Sequence, residues 1–232
     1  MNKYLRFILP TIAIVFMFSA GAGAVSGQDV LRKILKRMDD NNKSLTSLKA
    51  DIKMNKFNSQ LGENDLTEGN MNYVPGRTEK QIYVRIDWTR PVVEHLVIAN
   101  GQYVLFRPKA KQAIVGKVDS VKGNGGKAGG ALAFMTMSKE QLSQNYTVKY
   151  IADETVNGGV QTFHLELTPK AATSYKSADL WVDANGMPVQ ARIVEKNNDT
   201  TTILLSNIQK NATIKASEFK ISPPKGTNIV RG

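Results

Sequence analysis

The 232-residue sequence has no cysteine. That excludes disulfide staples, thiolate nucleophiles, cysteine-ligated zinc and iron–sulfur clusters. It also excludes a lipid attached at a cleavage-site cysteine. Two histidines, His95 and His164, leave too little material for a multi-histidine metal centre. Each sits in a strand-like run and reads as an ordinary strand residue, His164 facing solvent between Phe163 and Leu165. Eight prolines and 18 glycines exclude collagen-like and proline-rich repeats. Neither a G-x-S-x-G elbow nor an H-E-x-x-H zinc motif occurs. Gly126-Lys127 fails as a phosphate loop, because Val121 stands where the first glycine is needed and Ala128 where Ser or Thr is needed. No enzyme, metal or cofactor is expected.

What is present is ordinary for a folded domain: 41% apolar and 22% charged residues. The formal charge is +11, from 31 Lys and Arg against 20 Asp and Glu. The basic residues are spread among acids without an arginine-rich run, so nucleic acid is not an expected partner. An anionic membrane surface or an acidic protein fits this charge, and so does general solubility.

Residues 1–24 read as a cleaved signal peptide. Lys3 and Arg6 form a positive start and Phe7 to Phe18 an apolar core. Ala22-Gly23-Ala24 offers a small-residue cleavage site. The apolar core is roughly 12 residues, short of the ~20 that span a bilayer. The expected product is a soluble, exported, single domain over residues 25–232.

Asp29 to Leu48 has the spacing of an amphipathic helix. Val30, Leu31, Ile34, Leu35 and Met38 share a face, with Asp29 as N-cap. From Lys49 the period becomes two, as in Ala50, Ile52 and Met54, and again from Gly69 to Tyr73 and from Ile82 to Trp88. Such alternation marks antiparallel strands with one buried face. Asn100-Gly101, Asn157-Gly158 and Asn185-Gly186 are hairpin signals. Roughly ten strands after one helix predict a large curved sheet or barrel. Residues 122–130 form a glycine-rich linker, followed by an apolar segment with Leu132, Phe134, Met135 and Met137 and a second helix over 138–144.

The order and spacing of several short motifs resemble the LolA family of periplasmic lipoprotein carriers. These motifs are Gly69-Asn-Met71-Asn-Tyr73-Val-Pro75, Arg85-Ile-Asp-Trp88-Thr-Arg-Pro91, Leu96-Val-Ile98 before Asn100-Gly101, and Phe106-Arg-Pro108. Thr168-Pro169-Lys170 and the final Phe219-x-Ile221-x-Pro223-Pro224-x-Gly226 complete the set. The resemblance implies an incompletely closed antiparallel β-barrel with a helical lid over an apolar cavity for acyl chains. It implies acylated lipoproteins as cargo, an inner-membrane release transporter as donor and an outer-membrane acceptor. It also implies transient membrane-surface contact and a monomer. A sensor or glycolipid-binding module on the same fold is the alternative. On this reading Ile52, Met54, Met71, Tyr73, Val84, Ile86, Trp88, Leu96 and Ile98 line the cavity, and Leu132, Phe134, Met135 and Met137 form the lid. Family members often carry an arginine directly before the proline of the second strand, where it latches the lid. Here Val74 takes that place, and Arg77 is the nearest substitute.

Overall fold

The computed structural model describes residues 27–76, 82–118, 135, 137–156 and 158–232. The signal segment 1–24, Arg77, the linker 122–130, Leu132 and Phe134 lie outside the described residues.

Helix α1 spans Gly27–Ser44 and buries Ile34, Leu35, Met38 and Asn41, which share one face at helical spacing. It starts before and ends short of its expected bounds. Asp29 is therefore not the N-cap but lies in the first turn, where its carboxylate suits the helix N-terminus and pairs with Arg32. The helix ends early because the next residues are claimed elsewhere. The Thr46 amide donates to Asn211 Oδ1 at 2.8 Å, and Leu48 enters a strand ladder opposite Lys210.

Six strands follow: β1 (Leu48–Asn58), β2 (Glu63–Val74), β3 (Tyr83–Arg90), β4 (Glu94–Ala99), β5 (Gln102–Arg107) and β6 (Gln112–Lys117). Helix α2 (Lys139–Asn145) has Ser138 as its N-cap in a capping box with Gln141. Then come β7 (Tyr146–Val156), β8 (Val160–Pro169), β9 (Tyr175–Asp183), β10 (Pro188–Glu195) and β11 (Thr200–Lys210). A short 3-10 turn at Ala216–Phe219 and the strand β12 (Asn228–Arg231) end the chain. All twelve strands form one sheet in the order β12-β6-β5-β4-β3-β2-β1-β11-β10-β9-β8-β7. Its neighbours are antiparallel except β12, which pairs parallel with β6. The two ends of that order, β12 and β7, do not pair, so the sheet curves without closing.

Two strands exceed the sequence expectation. β6 has no polar alternation (Gln-Ala-Ile-Val-Gly-Lys), and β12 is four exposed residues whose partner is far away in sequence. The Asn100-Gly101 turn has φ of 52° and 73° at its two residues, the left-handed pair that a two-residue hairpin requires.

The concave face carries the core, and α1 lies against it. Gly186, in the β9–β10 turn, sits so close to the helix that a Cβ there would lie 2.2 Å from the Arg37 carbonyl oxygen. The convex face is covered by two polar devices. Across β2 to β4, the 3-10 turn buries Phe219 beside the Tyr83 ring. Arg85 donates to the Glu218 carbonyl at 2.9 Å, and Asn72 donates to the Glu218 carboxylate at 2.8 Å.

Across β7 to β10 the device is centred on His164, which is buried rather than facing solvent as expected. Its Nδ1 lies 2.8 Å from Glu154 and its Nε2 2.9 Å from Asp179. The Trp181 ring stacks on it at 4.4 Å, with the Arg192 guanidinium 5.3 Å from the Trp181 ring centroid. Arg192 also donates to Asp179 at 3.0 Å. Alternation with Phe163 and Leu165 put the histidine on the outer face correctly. What it could not reveal is that Trp181, one strand away, covers that position. The Trp181 indole N–H and His164 both donate to Glu154, and together they hold its carboxyl below the usual range despite some burial.

His95 on β4 has a similar part, 2.6 Å from Asp87, which Arg85 also engages at 2.7 Å. Burial alone would raise the Asp87 carboxyl, but the hydrogen bonds from Arg85 and His95 outweigh it and hold the carboxyl low.

Candidate functional site

The strand register arranges the concave face in rows. Leu48, Tyr73, Val84 and Ile98 form the first, and Ala50, Met71, Ile86 and Leu96 the second. The third runs Leu205, Ile52, Gly69, Trp88. The fourth runs from Met54 through Ile203, Ala191, Leu180 and Leu165 to Tyr150. Residues directly opposite in a ladder share a face, so each row is continuous apolar surface. Along β1 the apolar positions Leu48, Ala50, Ile52 and Met54 extend over about 20 Å, at ~3.3 Å per residue.

Of the nine residues expected to line a cavity, Ile52, Met54, Met71, Tyr73, Ile86 and Trp88 are buried and belong to one cluster. Val84 and Leu96 are half-buried against that cluster, and Ile98 is half-buried opposite Val84. Met135 is buried in the same cluster, and Met137 packs against it. Helix α1 contributes Ile34, Leu35 and Met38 from above. The Asn42 side chain donates to the Met137 carbonyl at 3.0 Å and so ties α1 to the segment leading into α2. That tie lies where the family resemblance puts the lid, but it comes from α1 and not from the second strand.

Sequence reasoning missed the other half of the surface. Leu165, Leu180, Ala191 and Ile203 complete the cluster from β8 to β11. Their alternation was as visible as that of the first strands, but only the register shows that they continue the same rows.

The face offers burial rather than proton transfer. Among its polar groups are Tyr73, whose phenol burial pushes up to about 12, and Thr201 beside the half-buried Lys56. Two clefts open elsewhere. One of about 250 Å³ lies between the β1–β2 hairpin and the β10–β11 turn, and one of about 170 Å³ lies beside Thr162 and Phe163. Both fall below the ~300–1,000 Å³ of typical ligand pockets. The rows themselves are closed by mutual contact, by α1 and by Met135. Among the described residues no helix is long and apolar enough to cross a membrane.

The chain thus folds as a curved, unclosed sheet whose continuous apolar face is covered by a helix. Residues 79–222 match the family described as Outer membrane lipoprotein carrier protein LolA. The chain belongs to the LolA family. It is 29% identical over 140 residues to the outer-membrane lipoprotein carrier protein of Bordetella pertussis, and 28% identical over 140 residues to that of Bordetella bronchiseptica. Each match spans 60% of this chain and 60% of the relative's length.

Solved structures share the fold at lower identity. An uncharacterized conserved protein of Thermus thermophilus gives a TM-score of 0.54 at 12% identity, covering 88% of this chain and 99% of that one. The lipoprotein LppX of Mycobacterium tuberculosis gives 0.50 at 13%, covering 80% and 98%. A chain of the Pseudomonas aeruginosa MucA/MucB complex gives 0.50 at 13%, covering 82% of this chain and 60% of that one.

Proposed function

We propose that this chain is a periplasmic carrier that shields the acyl chains of lipoproteins on its concave face and shuttles them from the inner to the outer membrane. The observation that carries the reading is the set of continuous apolar rows, covered by α1 and Met135. Met135 and α1 close the face through side-chain contacts, and methionine repacks easily around differing chains. An acyl chain enters by displacing them. Ile52, Met54, Met71, Tyr73, Val84, Ile86, Trp88, Leu96 and Ile98 then contact the chain, while Met135 and Met137 move as the lid. Removal of residues 1–24 leaves the carrier as one domain, and it works as a monomer without a cofactor.

Burial of a long acyl chain gains ~0.8 kcal/mol per methylene relative to water. A bilayer offers nearly the same gain, so the carrier needs no affinity beyond that of the membrane. Loading then falls to a release transporter in the inner membrane, and unloading to a more favourable acceptor at the outer membrane. Contact with either membrane is brief.

The test is extraction. Inner-membrane vesicles containing the release transporter, ATP and a labelled lipoprotein are incubated with the protein. The labelled lipoprotein is expected in the supernatant as a one-to-one complex. If it stays in the vesicles while the protein still binds lipid, the chain is a sensor or glycolipid-binding module and not a carrier.

A further inference from the structure

Thr201 breaks the chemistry of its surroundings. It lies on β11 two residues before Ile203, on the same concave face, and opposite Ile193 of β10. It is 1% exposed, and its hydroxyl has no hydrogen-bond partner among the described residues. A hydroxyl offers one donor and two acceptor sites, and burying it unsatisfied is unfavourable. Valine has the same shape and a high strand preference, and it would fit this position of the packed protein better.

The position of this hydroxyl along the face is equally specific. Towards Ile203, Met54 and Ile52 the surface is wholly apolar. In the opposite direction it turns polar within one rung. Lys56 is Thr201's ladder partner on β1, and it lines the cleft of about 250 Å³ together with Asn58 and Asp65. Thr201 therefore stands where an apolar row meets a polar exit. An acylated ligand has the same order of parts: a hydrocarbon chain, an ester carbonyl, and a polar remainder. One leaflet's chain takes up ~15 Å, half the bilayer core, and the apolar positions along β1 extend over about 20 Å.

We propose that the Thr201 hydroxyl donates to the ester carbonyl of a bound acyl chain, so that the chain runs along β1 and across the rows towards Leu48, and the polar remainder leaves past Lys56 through that cleft. The proposal rests on the concave face being the lipid site. It adds an orientation and a chemical preference: ester-linked lipid over ether-linked lipid of the same length. Ligand binding also supplies the partner that the hydroxyl lacks in the closed protein, so the favourable hydrogen bond forms only in the loaded state.

The test compares dipalmitoylglycerol with its ether counterpart dihexadecylglycerol, each competing against a fluorescent fatty acid for the full protein. The two lipids differ only in the carbonyl oxygens. The unaltered protein is expected to prefer the ester by roughly tenfold, the worth of one hydrogen bond to a buried group. Thr201→Ser, which keeps the hydroxyl, should keep the preference. Thr201→Val should bind both lipids equally and melt at a higher temperature when empty. Equal binding of the two lipids by the unaltered protein overturns the proposal and leaves the lipid site standing. So does an ester preference that survives in Thr201→Val. Failure to bind either lipid removes the lipid site itself, and this inference with it.

Discussion

A chain carrying Gly186→Ala is expected to melt roughly 10 °C below the unaltered protein and yet still take up an acylated lipopeptide below its midpoint. Two costs add at this position. Gly186 has φ +83°, where a side chain costs ~1–2 kcal/mol. The added Cβ would also lie 2.2 Å from the Arg37 carbonyl oxygen and 2.3 Å from its carbon. Those are backbone atoms of α1, so no rotamer change relieves the clash and the helix or the turn must move. Overpacking of this kind costs ~1–3 kcal/mol. At ~2–4 °C per kcal/mol for a domain of this size, the two costs together give the stated shift. Calorimetry reads the midpoint. An unchanged midpoint would mean that the β9–β10 turn does not seat against the helix.

Ile86→Glu should lower the midpoint by a similar amount and, in contrast, lower lipopeptide affinity by about a hundredfold or more. Ile86 lies in the middle of the second row, between Met71 and Leu96, and is 1% exposed. An ionised carboxylate there costs several kcal/mol unless it reaches water or stays protonated. When the proposed lid opens, water would reach the row and the carboxylate would ionise. The acyl chain must then strip that water away. A fall in pH protonates the glutamate and should restore part of the affinity, which a disrupted fold would not do. The comparison with Gly186→Ala separates stability from binding: both variants are expected to be destabilised, but only Ile86→Glu alters the surface proposed for the lipid. Equal uptake by the two variants, measured by fluorescence titration at a temperature where both are folded, would place the lipid somewhere else.

Much of this architecture was legible in the sequence because period-two alternation carries it. Ile52, Met54, Met71, Tyr73, Ile86 and Trp88 sit on one face because alternate strand residues must. The glycine-containing turns then force successive strands to be neighbours. α2 was expected over 138–144 from composition alone, and the structure adds the Ser138–Gln141 capping box that starts it. The signals failed where the deciding contact was far away in sequence. β12 has no pattern of its own and exists because β6 offers an edge to it. The end of α1 is set by Asn211, 165 residues beyond Thr46. His164 looked exposed because nothing local shows that Trp181 and two carboxylates enclose it. Thr201 is the middle of three successive threonines, and nothing local sets it apart. Its orphaned hydroxyl becomes visible only when the whole face is assembled.

The most direct test of the account uses a triacylated lipopeptide with a photoreactive diazirine near the end of one acyl chain. The peptide is loaded onto the full protein, irradiated, and the adducts are mapped by peptide mass spectrometry. The account predicts adducts on the concave rows, at Ile52, Met54, Met71, Ile86 or Trp88, with Met135 among them if the lid closes over the chain. Adducts confined to the convex face or to the exposed turn residues Leu61, Val92 and Val93 would contradict it.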